Sequence, residues 1–324
     1  HPKFAAWARY QALRLCTPNR NDPWLIGYFL DNELAWWGRW TAEPPEVFRV
    51  CGLFDMAMKW PPSHPAKQAA CEHIRRTAGG DLAAARATWG IALESWESLC
   101  RLERLPSATP EQIAVKTEFL RQTAQRYFET LAHAIRSADP DHLILGCRFA
   151  GIQSHDPVVW KVAGQWCDAV SLNIYPFVDL DTGEVVTGLQ PPDREPLAAS
   201  LTRYQSACGR PLLITEWSFP ALDSGLPCLH GAGQRFHTQA ERALASELFA
   251  RTVLSLPFVI GYNYFMWADQ PALGVSSNFP EDSNYGLVNE DDQPYPLLTE
   301  MFAHIHREVG TLRRGPPPPS RPPP

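Results

Sequence analysis

At 324 residues, 45% of them apolar and 20% charged, the chain has globular proportions and enough length for one large domain or two ordinary ones, with a sizeable core. It holds no uninterrupted apolar run of the roughly eighteen residues that a membrane span needs. A net charge of −6 without a basic cluster argues against a nucleic-acid partner and fits a neutral or weakly charged ligand.

The first predicted element is a helix from Pro2 to Leu15, with apolar residues at Phe4, Trp7, Ala8, Ala12 and Leu15, ended by the polar turn Thr17-Pro18-Asn19-Arg20-Asn21-Asp22-Pro23. A strand follows at Leu25 to Phe29, and directly after it comes Asp31-Asn32-Glu33. Residues 41–80 are rich in Pro and Gly and read as a long excursion. Asp81, behind Gly79-Gly80, is expected to cap a helix running to about Leu105. Thr109, Pro110 and Gln112 form a capping-box pattern for a helix to about Ser137, closed by Asp139-Pro140-Asp141.

From there strands and helices alternate. HLILGCRF (142–149), CDAVSLNIYPF (167–177), PLLITEWSF (211–219) and VIGYNYFMW (259–267) read as strands, with helices at 195–208 and 238–256. Such alternation implies a parallel sheet, and strands apolar nearly throughout are those covered on both faces. The expected class is α/β, a (β/α)8 barrel, in which the carboxyl ends of the strands build the site. Those ends carry Asp31-Asn32-Glu33, Arg148, Asn173, Tyr175, Glu216-Trp217 and Trp267. The tail GPPPPSRPPP (315–324) cannot form a core and reads as a disordered extension, so the barrel domain is expected to span residues 1–312 with a helical insertion at about 41–137, after the first strand.

Two carboxylates at the ends of two such strands, Glu33 and Glu216, are the pair that glycoside hydrolysis requires, one on either side of the scissile bond. The twelve Trp and nine Tyr divide between a large aromatic core and rings suited to stacking on sugar faces. Trp36, Trp37, Trp217 and Trp267 are the rings expected beside the carboxylates. Arg148 is read either as a ligand to substrate or as a partner for a buried carboxylate. Other motifs point to ordinary structure. Ser154-His155-Asp156 lacks a nucleophile elbow and reads as a polar loop. His304 and His306 occupy alternate helix positions without carboxylate partners and read as surface histidines, and Gly79-Gly80 starts no phosphate loop. The eight cysteines show no zinc-like spacing, and most read as free thiols. No metal or cofactor is called for.

The sequence GYFLDNELAWWG resembles the fourth-strand motif of clan A glycoside hydrolases, and LLITEWSFPALDSGLP resembles their seventh-strand motif. Within the clan the wording is most similar to β-agarases and their β-galactosidase-like relatives, through DNEL-W-G, TEWSF-ALDSGLP, the TQAERA helix, and WADQPALG followed by EDSNYGLVNEDDQPY. The resemblance covers residues 1 to about 310. It implies Glu33 as acid/base, Asn32 as a donor to the sugar 2-hydroxyl, Glu216 as nucleophile, Tyr175 as the hydroxyl holding it and Trp267 as the floor under the sugar. It therefore implies a retaining enzyme acting on a poly- or oligosaccharide, a β-linked galactan, with an exo-β-galactosidase or other β-glycanase as the alternative. A non-catalytic carbohydrate-binding relative or a truncated, inactive fragment is the alternative of another class.

Counted against that family, strands one to three are missing, together with an Arg usually carried near the nucleophile. The chain begins His1-Pro2-Lys3 without a signal peptide, so its true start is expected to lie upstream, compatible with a secreted or periplasmic protein. The remaining strands, 4–8 of a barrel, are expected to form an open arc of five with the Leu25 and Val259 strands at its edges, leaving Ile26, Tyr28 and Phe265 unusually exposed.

Overall fold

The structure, a computed structural model, describes residues 1, 3–36, 45–150, 157–187 and 194–314. It divides into a first unit, His1–Cys147 with Gln153–Val170 and Ala207–Gly209, and a second, Arg148–Ile152, Ser171–Ser206 and Arg210–Pro324.

The first unit contains α1 (Lys3–Leu15), β1 (Gly27–Tyr28), α2 (Pro45–Met58), α3 (Pro65–Thr77), α4 (Leu82–Trp89), α5 (Trp96–Leu99), α6 (Pro110–Ala138), β2 (Leu143–Ile144) and α7 (Val158–Trp166), numbered in chain order. Its spine is α6. Gln112 N donates to Thr109 Oγ1 at 3.2 Å and Thr109 N to Gln112 Oε1 at 3.3 Å, the reciprocal cap read from the sequence. Val115, Phe119, Leu120, Ala124, Phe128, Ala132 and Ile135 recur every three or four residues along its buried face, against which α1, α2 and α7 pack. Lys116, fully buried on α6, has three acceptors for its three protons: Asp55 Oδ1 at 2.7 Å, Ser107 Oγ at 2.7 Å and the Leu105 carbonyl at 2.8 Å.

The insertion after the first strand, expected to be helical, contains α2 and α3 within 41–80; Pro45 and Pro65 stand at first helical positions, where proline starts a helix instead of breaking one. One expectation for this unit is corrected. The single helix expected from Asp81 to about Leu105 ends at Trp89. Asp81 does cap it, accepting from Ala83 N at 2.8 Å, but Gly90 turns left-handed at φ 60° and stops it.

β1 and β2 pair in parallel, Gly27 opposite Leu143 and Tyr28 opposite Ile144. A Cβ on Gly27 would lie 2.3 Å from the Leu143 carbonyl oxygen, so this close approach requires glycine. Ile26, beside the pair, is 71% exposed, whereas Tyr28 is half-buried.

The second unit contains β3 (Phe149–Ala150), all but the first residue of β4 (Val170–Asn173), β5 (Phe177–Val178), β6 (Val185–Val186), all but the last two residues of α8 (Leu197–Cys208), β7 (Leu212–Glu216), α9 (Gln239–Leu254), β8 (Val259–Tyr262) and α10 (Pro296–Arg314). Its sheet has the order β3-β4-β7-β8, with β3 parallel to β4 and β7 parallel to β8. Leu212 and Ile214 of β7 are fully buried, as befits a central strand. Phe265, beyond β8, is half-buried.

The architecture is α/β with parallel sheets, yet among the described residues there is neither a closed barrel nor one arc of five strands. The strand expected at 142–149 is interrupted. Gly146 at φ 86° and Arg148 at φ 48° leave the extended region, so β2 ends at Ile144 and β3 begins at Phe149. An antiparallel ribbon, β5 with β6, was not read from the sequence; its residues are too few to show period-two alternation. None of the eight cysteines forms a disulfide. Among the described residues no helix is long and apolar enough to cross a membrane, and no cluster of three His, Cys, Asp or Glu side chains is placed to hold a metal.

Candidate active site

Glu216 is the last residue of β7, and strands on one side of it bring up three donors. Tyr175 OH donates to its Oε1 at 2.6 Å; Asn173 Nδ2 and Arg148 Nη2 donate to its Oε2 at 3.0 and 2.8 Å. Arg148 precedes β3, Asn173 ends β4 and Tyr175 follows two residues later, so the parallel order of the sheet converts three strand ends into one ring of donors. The amide of Asn173 is oriented by Thr215, whose hydroxyl donates to Asn173 Oδ1 at 2.8 Å and leaves the NH2 for the carboxylate. A second bond from Arg148 Nη2, to the Thr215 carbonyl at 3.1 Å, fixes the guanidinium. Charge-assisted donors of this kind favour the anionic form of a carboxyl group. Burial first, and then the neighbouring Glu216 carboxylate, push the Tyr175 phenol well above its usual range, so it remains a donor.

The backbone around this carboxylate is constrained. Arg148 sits in the left-handed region at φ 48°, with its N–H bonded to Ser171 Oγ at 2.9 Å. For a residue with a Cβ that conformation costs about 1–2 kcal/mol and persists only where the surroundings impose it. Gly233, at φ 90°, lies under the Tyr175 ring, where a Cβ would come within 3.3 Å of Tyr175 Cδ1. Sequence reading missed Gly233; a glycine outside any turn pattern was its only signal.

Asn32 and Glu33 lie in the first unit, on the loop after β1. The loop is pinned at both ends. Asp31 accepts from Tyr127 OH at 3.2 Å and from Asn32 N at 3.0 Å, while Trp36 is only 5% exposed, stacked on Phe128 and edge-on to Tyr127. Between the pins Glu33 adopts φ 52°, another left-handed residue with a side chain, and is exposed. The role of Tyr127 was not legible, since it lies on α6, 96 positions from Asp31.

Two of the tryptophans expected to face substrate do not. Trp217 is fully buried, with the rings of Phe219, Phe249, Tyr262, Tyr264 and Phe302 all within 6.0 Å of it, centroid to centroid. It follows Glu216 directly, and successive strand residues point to opposite faces, so a Glu facing the site sends its neighbour into the core. Trp36 is likewise a buried anchor. Trp267 is 68% exposed and available to a ligand. Trp37 and Ser154-His155-Asp156 lie outside the described residues, as does the tail from residue 315. Arg148 is resolved in favour of the carboxylate partner. His304 and His306 engage Glu308 and the Tyr262 hydroxyl at 3.3 and 2.9 Å.

No model of a protein family matches the chain. In sequence it is similar to two proteins of Vibrio sp. (strain JT0107). It is 28% identical to β-agarase B over 321 residues, 96% of this chain and 30% of that protein. It is also 28% identical to β-agarase A over 284 residues, 86% of this chain and 26% of that protein. The chain thus spans less than a third of the length of these relatives. Among solved structures, the crystal structure of an agarase superposes on 96% of this chain and 41% of its own, with TM-score 0.79 and 25% identity. An exo-β-agarase superposes on 96% of this chain and 38% of its own, with TM-score 0.80 and 24% identity. A β-galactosidase from the psychrophilic Marinomonas ef1 shares the fold over 96% of this chain and 43% of its own, with TM-score 0.58 and 15% identity.

Proposed function

We propose that the chain carries the two catalytic carboxylates of a retaining glycoside hydrolase acting on a β-linked galactan of the agarose type. The observation that supports this reading most directly is the Glu216 carboxylate, held at a strand end by Arg148, Asn173 and Tyr175. Similarity to β-agarases supplies the substrate class.

In this reading Glu216 attacks the anomeric carbon. Glu33 protonates the departing glycosidic oxygen, then takes a proton from the water that releases the sugar. The Tyr175 hydroxyl and the Asn173 amide hold one carboxylate rotamer ready for attack, and Asn32, beside the acid, reaches the sugar 2-hydroxyl. Trp267 offers a flat face beneath the ring. Retention requires the two carboxyl groups roughly 5 to 5.5 Å apart, inversion roughly 6.5 to 9.5 Å. The exo-β-galactosidase alternative is supported by likeness of fold alone.

The deciding experiment is to incubate the chain with agarose-derived oligosaccharides and follow the anomeric configuration of the first product by proton NMR, then to label the protein with a 2-fluoro galactosyl fluoride. Retained β-configuration and a label on the peptide containing Glu216 are expected. An inverted product, or a label on another carboxylate, would sink the assignment.

A further inference from the structure

Two stretches singled out in the sequence, the TQAERA helix start and the run from WADQPALG to EDSNYGLVNEDDQPY, have, Trp267 apart, no part in the two-carboxylate scheme. They meet in one buried polar network. We propose that this network positions Trp267, with Asp269 as its central residue and Arg242, Asn284 and Tyr295 as its supports. The proposal rests on reading Trp267 as the sugar contact.

The main chain of Trp267 rides on the segment after Asn284. Its carbonyl accepts from Leu287 N at 2.8 Å and Val288 N at 3.0 Å, Met266 N donates to the Tyr285 carbonyl at 3.0 Å, and Asp269 N donates to that of Val288 at 3.1 Å. That segment is in turn gathered by the Asp269 carboxylate. Oδ1 accepts from Gly286 N at 2.7 Å and Asn284 Nδ2 at 2.8 Å; Oδ2 accepts from Tyr295 OH at 2.6 Å and Asn284 Nδ2 at 3.0 Å. The two backbones pass so closely that a Cβ on Gly286 would lie 2.3 Å from Asp269 N.

A buried cation closes the network from the other side. Arg242 is fully buried; its Nη2 donates to the Gly286 carbonyl at 2.7 Å and to Tyr264 OH at 2.8 Å, its Nη1 to Gln239 Oε1 at 3.0 Å and its Nε to the Phe219 carbonyl at 2.7 Å. Gln239 Nε2 passes the connection to Asn284 Oδ1 at 2.8 Å. Gly286 and Tyr295 bridge the opposite charges: Gly286 gives its N–H to Asp269 and its carbonyl to Arg242, and Tyr295 gives its hydroxyl to Asp269 and its ring face to Arg242, 5.1 Å away.

Burying an Asp and an Arg is expensive in desolvation and contributes little net stability, but a fully bonded network of this kind admits a single geometry. What it fixes here is the main chain that carries a large apolar ring left 68% exposed. An exposed ring on a rigid base is preorganised for a flat ligand, because the entropy of ordering it is lost on folding and not on binding.

The full chain labelled with 5-fluorotryptophan tests this without any activity, the Trp267 fluorine line being assigned by its absence in Trp267→Phe. Asp269→Asn and Tyr295→Phe should each shift, broaden or split that line while the line of the buried Trp160, far along the chain, stays in place. An unmoved Trp267 line in both overturns the proposal, and Tyr295→Phe alone decides it should Asp269→Asn not fold. In binding to agarose-derived oligosaccharides by calorimetry, Asp269→Asn should weaken affinity roughly three- to tenfold, about the value of one stacked ring. On a Trp267→Phe background the same change should cost less than about twofold. Equal losses on both backgrounds would show a merely structural role. If the parent chain binds and cleaves no such oligosaccharide, the functional reading fails while the fluorine line still judges the network.

Discussion

Glu216 and the Glu33 loop solve the same problem, presenting a carboxylate, in opposite ways. Glu216 ends a central strand, its side chain only 15% exposed and gripped by a phenol, an amide and a guanidinium. Glu33 stands exposed on a loop fixed through its neighbours, Asp31 on Tyr127 and Trp36 between aromatic rings. The difference matches the division of labour proposed above. A nucleophile must stay anionic and keep one rotamer, whereas an acid/base must gain and lose a proton and reach water.

The largest effects should come from the carboxylates themselves and should differ in kind. Glu216→Gln is expected to abolish hydrolysis of every substrate, by roughly 10⁴-fold or more, as loss of a covalent nucleophile does. Glu33→Gln should cost about 10²- to 10⁴-fold on oligosaccharides. It should cost far less on an aryl galactoside, whose leaving group needs no proton. Equal defects on the two substrates for Glu33→Gln would erase the distinction between the regions.

The buried rings sharpen the contrast on the side of stability. Trp217→Ala should lower unfolding free energy by about 3–5 kcal/mol, since it empties a site packed on all sides. Urea titration measures this, and a loss below about 1 kcal/mol would contradict the packing described. Tyr175→Phe removes a single donor to Glu216 and nothing from the core. It should reduce kcat by about 10- to 100-fold, the value of one hydrogen bond to a charged group, with little change in urea midpoint.

The smallest effect is on pH dependence, and it belongs to the first unit. His142 Nδ1 faces Asp139 Oδ2 at 2.7 Å and its Nε2 faces the Asp22 carbonyl at 2.9 Å. Both neighbours are acceptors, so only the doubly protonated ring satisfies both. The Asp22 carbonyl first, and Asp139 after it, raise the His142 pKa above its ordinary 6.5. Its stabilising contribution is therefore complete below about pH 6.5 and fades as pH rises through the higher folded value. Burial alone would raise Asp139, but bonds from Tyr28, the His142 backbone and ring, and the Asp141 backbone outweigh it and hold the carboxyl at about 2. That contribution is complete above 3.8, its ordinary value, and is lost as pH falls towards 2. Urea midpoints should pass through a broad maximum between these limits, and His142→Gln should flatten the alkaline side. An unchanged alkaline slope in that variant would remove His142 from the account.

What depends on neighbours a few residues apart was legible in the order of the residues. The capping box at Thr109 and Gln112, the Asp81 cap, the apolar strand at Leu212 to Thr215 and the placing of Glu216 at its end are local patterns, carried by one turn or one stretch of extended chain, whereas Asn32-Glu33, read as a strand end, stands on the loop beyond β1. Only the tertiary structure decided which way Arg148 points, because its partner Glu216 lies 68 positions on and meets it through the order of the sheet. Likewise, four tryptophans with similar flanks are alike as letters, yet Trp217 and Trp36 are core and Trp267 is exposed. The pleat sends adjacent side chains to opposite faces, and whether a face meets protein or solvent is set by elements far away in the chain. The left-handed turns at Glu33 and Arg148 belong with these, since no local preference favours them and only the bonds and packing around each hold it there.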